Sequence, residues 1–310
     1  MISDLFSTTV IIGIISSGIR LATPYLYASL GETFSQRSGV LNLGVEGQML
    51  MGAFAAFYVA LKFGSLWGGV LAAILVGAVL GLAMAFVSIN LQAAQGISGI
   101  GFYLFGLGMS NLLFQKMIGT VETVQGFPKI HIPFLSDIPG IGEIFFSHNV
   151  LVYIAFFLVP VAWFVLNKTT LGLKIRAVGE NPDAADSLGV SVIRVRYFTV
   201  IFGGIMSALG GASLSIALLN VFQQNMTSGL GFIAVALVYF GGWRPWGILG
   251  GALLFSMVNS LQLWIQVLGI PIPSEIALMM PYILTILVLV VSTSKVRGPS
   301  ALSKPFERGD

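Results

Sequence analysis

Long apolar runs separated by short polar breaks dominate the chain. Nine segments reach or approach the about 20 residues that a helix needs to cross a hydrocarbon layer: 8–30, 45–62, 66–90, 98–117, 149–167, 197–219, 229–241, 247–269 and 277–293. The seventh is short and reads as a half-helix or a re-entrant element. No carboxylate occurs from Met51 to Val121, as expected in lipid, where a central charge costs about 2.5–3.5 kcal/mol. Small residues recur four apart at Gly77 and Gly81, Gly203 and Ser207, Ser207 and Gly211, and Gly247 and Gly251. That spacing puts them on one helix face and lets backbones approach. The whole chain, 1–310, reads as one all-α membrane domain.

Composition agrees with the pattern. Hydrophobic residues make up 56% and charged residues 9%, against roughly 25% charged in soluble domains. The mean hydropathy is +0.94. Polar groups are too few to cover the surface, so lipid must solvate much of it. The absence of cysteine excludes disulfides, thiolate metal sites and cysteine nucleophiles. The net charge of +3 is small and its basic residues are dispersed, which argues against nucleic acid as a partner. No basic residue precedes the first apolar run, so that run reads as a retained span rather than a signal peptide.

The basic residues set the orientation. Segment 168–196 holds Lys168, Lys174, Arg176, Arg194 and Arg196 and is read as cytoplasmic. Counting spans from there puts Arg37, Arg244 and the tail 294–310 on the same side. Eleven of the 15 basic residues then lie inside, with Lys62, Lys116 and Lys129 outside and Arg20 within a span. This is the positive-inside asymmetry. Segment 118–148, rich in proline and glycine and carrying His131 and His148, becomes an external cap with one short helix.

No catalytic set is visible. Both histidines sit in one loop, which supplies a metal site or a triad poorly. No Gly-Lys pair occurs, so a Walker A phosphate loop is excluded. Two stretches stand out instead. The first is Gly31 to Gly47, GETFSQRSGVLNLGVEG, with Glu32, Arg37, Asn42 and Glu46 among four glycines. Polar, glycine-rich backbone at membrane depth lines a cavity or is buried in protein. Two readings stay open: Glu46 or Glu32 pairs with Arg37 to fix a broken helix, or these groups contact substrate or a gate.

The second stretch is Gly179 to Gly189, GENPDAADSLG. Asn181 is a good N-cap and Pro182 suits the first helical position. Asp183 suits the first turn and Gly189 the stop. A two-turn helix over 182–188 follows, too short to be stable without a surface to dock on. Ala184, Ala185 and Leu188 are spaced to form a small apolar face on it.

At these stretches the chain resembles a known family. Ala22 to Gly31 (ATPYLYASLG), then Arg37 to Gly47, is similar to the N-terminal signature of ABC importer permeases of the branched-chain amino acid and ribose superfamily. The nucleoside and simple-sugar group is the nearest. Gly179 to Gly189 resembles that group's cytoplasmic coupling segment. The resemblance implies a fold similar to cobalamin-importer permeases, with about ten helices, one more than the nine spans counted. It implies a cytoplasmic ABC ATPase that docks at Glu180, Asn181, Pro182, Ala184, Ala185, Leu188 and Gly189. A second permease subunit, non-identical in many members, and an extracytoplasmic binding protein are also implied, in a bacterial inner membrane and without cofactor or metal. Candidates for the path are Asn42, Glu46, Ser98, Phe102, Phe105 and Asn111. Phe222, Gln223, Gln224 and Asn225 are candidates near the outer mouth. Two rival readings are an ion-coupled secondary transporter using Glu46 at a broken helix and a membrane-embedded enzyme.

Overall fold

A computed structural model describes residues 7–269 and 297–307, with isolated positions between them. The span predicted over 277–293 falls mostly outside the described residues, as do Lys295 and Arg308. The described chain is helical, with no named strand, in the order α1 (Thr8–Arg37), α2 (Val45–Phe63), α3 (Leu66–Ala85), α4 (Gln95–Met117), α5 (Ile141–Phe145) and α6 (Val150–Lys168). Then come α7 (Thr170–Glu180), α8 (Pro182–Ser187), α9 (Val192–Ser213), α10 (Leu230–Phe240) and α11 (Pro245–Val267). Single π-turns at Phe86–Asn90 and Leu214–Leu218 extend α3 and α9.

Six of these helices are long and apolar enough to cross a membrane: α1, α3, α4, α6, α9 and α11. The helix α2 is not among them, because Glu46, Gln48 and Lys62 dilute its apolar run. The helix α10 has 11 residues and, at about 1.5 Å per residue, covers about half of a bilayer core. It is the half-helix that the short seventh segment predicted. The first helix runs past residue 30 to Arg37 without a break, through Pro24. Segment 168–196 holds two helices, not one: α7 precedes α8.

The helix α9 forms the centre, with 72% of its most apolar window buried, while α4, at 22%, lies at the edge. Small residues explain the close approaches. A Cβ on Gly77 would come within 2.6 Å of the Gly204 carbonyl, and one on Gly81 within 2.9 Å of Ile201 Cα. A Cβ on Gly211 would overlap the Met49 carbonyl. The stripes at Gly77, Gly81 and Gly211 thus mark where α3 and α2 press against α9. The Ser215 hydroxyl donates to the Ala53 carbonyl across the same seam at 2.9 Å.

The connections sort themselves to two ends. At one end, Ala301 N donates to Gly179 O and Ser303 N to Gly39 O. Arg196 donates to Ser38 O and Lys304 O, and Arg37 donates to Trp243 O. At the other end, Thr123 bridges Val221 and Lys129 bridges Asn149. The basic segments grouped by charge counting are therefore grouped in space, and 118–148 lies opposite them. That segment carries one short helix, α5.

Candidate functional site

The arginine-rich end carries α8. Asn181 closes α7, its N–H donating to Ala177 O, and opens α8, its Oδ1 accepting from Ala184 N at 3.0 Å. Pro182 follows at the first helical position. Gly189 ends the element at φ +83, a left-handed conformation suited to glycine. Glu180 Oε2 accepts from the Ser300 hydroxyl at 3.1 Å. Residues 180–183, 300–301 and 304–307 line a cleft of about 260 Å³.

The apolar face expected of this helix divides in two. Ala185 is 3% exposed and belongs to the chain's own core cluster with Ile175, Val178, Val192 and Val195. Leu188 is 84% exposed, and Ala184 and Ser187 are also exposed. A two-turn helix lying on α7 and α9 must give one side to them. Ala185 is therefore an anchor, and Ala184 and Leu188 form the free side.

The glycine-rich stretch places its charges differently from either expectation. Glu46, in the first turn of α2, is 1% exposed. Its Oε1 accepts from the Thr227 hydroxyl at 2.6 Å and Gly229 N at 2.7 Å, and its Oε2 from Gly231 N at 2.6 Å. Glu32 Oε1 accepts from Gln36 Nε2 at 2.9 Å and Asn42 N at 3.0 Å. Neither acid pairs with Arg37, whose Nε and Nη2 both donate to Trp243 O. The expected acid–arginine pair is thus corrected: Glu46 and Arg37 find distant partners, and Glu32 bonds to Gln36 and the Asn42 amide within its own stretch, its Oε2 buried without a partner. Asn42 is consumed too, its Oδ1 accepting from Gly44 N and its Nδ2 donating to Gln48 Oε1. With three donors closed around it, the Glu46 carboxylate joins two helix ends, and the coupling-ion reading of Glu46 loses its motive.

The other path candidates scatter. Ser98, Phe102 and Phe105 share a groove of about 500 Å³ between α4 and the end of α3. Asn111 is half-buried further along α4. Phe222 is fully buried among Phe54, Phe57 and Phe114, with ring centroids 5.4, 6.3 and 5.4 Å away. It is packing, not lining, because its ring fills the gap where α2, α4 and the 219–229 segment meet. Gln223, Gln224 and Asn225 are exposed. Thr227, Gln48 and Trp243 were not foreseen; nothing local marks Thr227 or Trp243, which act through residues far away in the chain, whereas Gln48 bonds to Asn42 six residues before it.

A family model described as the permease component of branched-chain amino acid transport systems matches residues 14–289. TsgC13 of Haloferax volcanii, named as a glucose ABC transporter permease protein, is 39% identical over 96% of this chain and 98% of its own. The guanosine ABC transporter permease protein NupQ of Bacillus subtilis is 38% identical over 96% and 97%. NupP, a second guanosine permease protein of that organism, is 28% identical over 89% and 80%. A solved metal-chelate type ABC transporter in an inward-facing conformation shares the fold, with a TM-score of 0.52 at 16% identity over 90% of this chain and 85% of that chain. With its family match covering most of its length, the chain belongs to the permease components of the branched-chain amino acid transport family: a multi-pass ABC transporter subunit, and a transport component rather than an enzyme.

Proposed function

We propose that this chain forms half of the translocation path of an importer for a nucleoside or a simple sugar, driven by ATP hydrolysis in a separate cytoplasmic ATPase. The observation that carries the coupling part is α8: a capped, two-turn helix anchored by Ala185 and presenting Leu188, 84% exposed, at the arginine-rich end. A ligand shifts a conformational equilibrium only through contacts that differ between the states. ATP does not reach the membrane domain, so a docked element must carry those contacts. The arginine-rich end is read as cytoplasmic, in an inner membrane, on the positive-inside rule.

Relatives named for guanosine and glucose support the substrate class. Likeness to two different guanosine permease proteins of one organism supports a non-identical second permease. An extracytoplasmic binding protein would deliver the substrate. The test is uptake of radiolabelled guanosine and of glucose by vesicles carrying this chain with its ATPase, second permease and binding protein. ATP-dependent accumulation of either one, lost with Leu188→Glu at unchanged abundance, is expected. Uptake indifferent to ATP would overturn the proposal.

A further inference from the structure

Three separated stretches of the chain enclose a cavity of about 850 Å³ at the arginine-rich end: the end of α1, the last turns of α6 with the adjoining α7, and the turn from α10 into α11. Three arginines (37, 176 and 244) and three tryptophans (163, 243 and 246) line it. The floor is built. Gly242 and Trp243 both take positive φ, +60 and +54. Arg37 holds that turn through Trp243 O at 3.0 and 3.1 Å, and Trp243 Nε1 donates to Gln36 Oε1 at 2.7 Å.

Arg37 is thereby committed, and the other two are not. Among the described residues neither Arg176 nor Arg244 makes an ion pair, and Arg176 Nε is buried with no hydrogen-bond partner. Both lie near enough to Arg37 to repel it. Glu180 attracts Arg37, but its Oε2 is turned to Ser300. A partly enclosed excess of positive charge, with a guanidinium donor unmet, is a site short of an anion.

The walls identify the anion. Trp163 and Trp246 are 37% and 51% exposed, at the ends of two membrane-crossing helices, α6 and α11. Tryptophan at such positions marks headgroup depth. Lys168 Nζ sits 5.9 Å from the centroid of the Trp163 ring and adds a further positive charge there. A basic pocket between spanning helices, walled by these partly exposed tryptophans, suits an anionic lipid headgroup. A freely diffusing ion would have no use for the flanking indoles.

We propose that this cavity binds the headgroup of an anionic phospholipid, its phosphodiester held by Arg176 and Arg244 and its acyl chains lying along α6 and α11 past Trp163 and Trp246. The lipid would tie α1, α7 and the α10–α11 turn together beside α8. The site stands on the bilayer placement of α6 and α11 and is independent of the transported substrate.

The test uses the full-length chain, purified in detergent with equimolar phosphatidylglycerol and phosphatidylethanolamine and examined by native mass spectrometry. Wild type is expected to retain phosphatidylglycerol preferentially. The double variant Arg176→Gln with Arg244→Gln is expected to weaken that retention about thirtyfold. If the double variant aggregates, Arg244→Gln alone decides, because that side chain is exposed; about fivefold is then expected. Unchanged preference in the folded variant overturns the proposal. Displacement of the lipid by inorganic phosphate assigns the site to a free anion, and displacement by the ATPase subunit assigns it to an acidic partner side chain. Either of these outcomes also overturns the proposal.

Discussion

The Glu46 carboxylate and the Gly231 amide, 185 residues apart in sequence, are joined by a 2.6 Å hydrogen bond. Glu46 lies in the first turn of α2 and Gly231 in the first turn of α10. Two helix N-termini, each carrying partial positive charge, therefore converge on one anion. The first N–H groups of α10 have no acceptor within their own helix, and the carboxylate that meets them is buried. Glu46 supplies the acceptor, and the Thr227 hydroxyl completes the shell.

Glu46→Gln removes the charge and puts an NH₂ donor where an N–H or O–H now points. It should cost about 2–4 kcal/mol and lower the melting temperature in detergent, with uptake falling in step with abundance. Unaltered melting would show that the lock is dispensable.

The two sides of α8 should separate cleanly. Leu188→Glu faces outward and should leave melting within about 0.5 kcal/mol of wild type while ATP-driven uptake and co-purification of the ATPase are lost. Ala185→Arg forces a charge into the core shared with Ile175 and Val195, so it should cut membrane abundance first. Equal abundance for the two variants would contradict the inward placement of Ala185.

Glycines divide in the same way. A Cβ at Gly211 overlaps the Met49 carbonyl, whereas one at Gly108 meets nothing within 4 Å. Gly211→Ala should destabilise by about 1–3 kcal/mol or more, since backbone cannot yield as a side chain can. Gly108→Ala should be neutral or stabilising by up to about 1 kcal/mol. Thermal unfolding of both variants in one detergent checks the order.

His148 links the segment 118–148 to pH. Its ring is 1% exposed, Nε2 meets Ile144 O at 2.7 Å, and Nδ1 is buried without a partner. Burial pulls its pKa below the usual histidine value of 6.5. The unfolded segment therefore binds the proton more tightly. Stability is full above about pH 6.5 and declines as the pH falls below it. Hydrogen exchange over 142–149 should quicken from pH 7 toward 5 after correction for intrinsic rates. His148→Phe should flatten the trend, and a trend surviving that change would acquit the histidine.

Hydropathy alone located α1, α2, α3, α4, α6, α9, α10 and α11, because lipid demands long apolar runs and tolerates few exceptions. The start of α8 was legible in Asn181-Pro182 because capping is a local transaction between a side chain and the next turn. The partners of Glu46 and Arg37 were not legible, since an acid met by backbone amides and an arginine met by a backbone carbonyl leave no complementary charge to search for. Phe222 was misread because an aromatic ring suits a path and a core equally. Ala184 and Ala185 could not be told apart, since six residues carry too little periodicity to define an inner face. The cavity of Arg37, Arg176 and Arg244 arises only when three separated stretches meet.

The 297–307 segment bonds to Gly179 through Ala301 and to Gly39 through Ser303, while Arg196 grips Lys304. It works as a tie-rod between the platform under α8 and the foot of α1. If α8 docks the ATPase, a displacement imposed on it would meet α1 through these bonds. Along α1 the one missing helical hydrogen bond imposed by the sequence is at Pro24, whose ring deprives the Arg20 carbonyl of its helical N–H. The base of α1 is thus held by residues more than 250 positions away in sequence, Ser303 to Gly39, and a push there would reach Pro24 first.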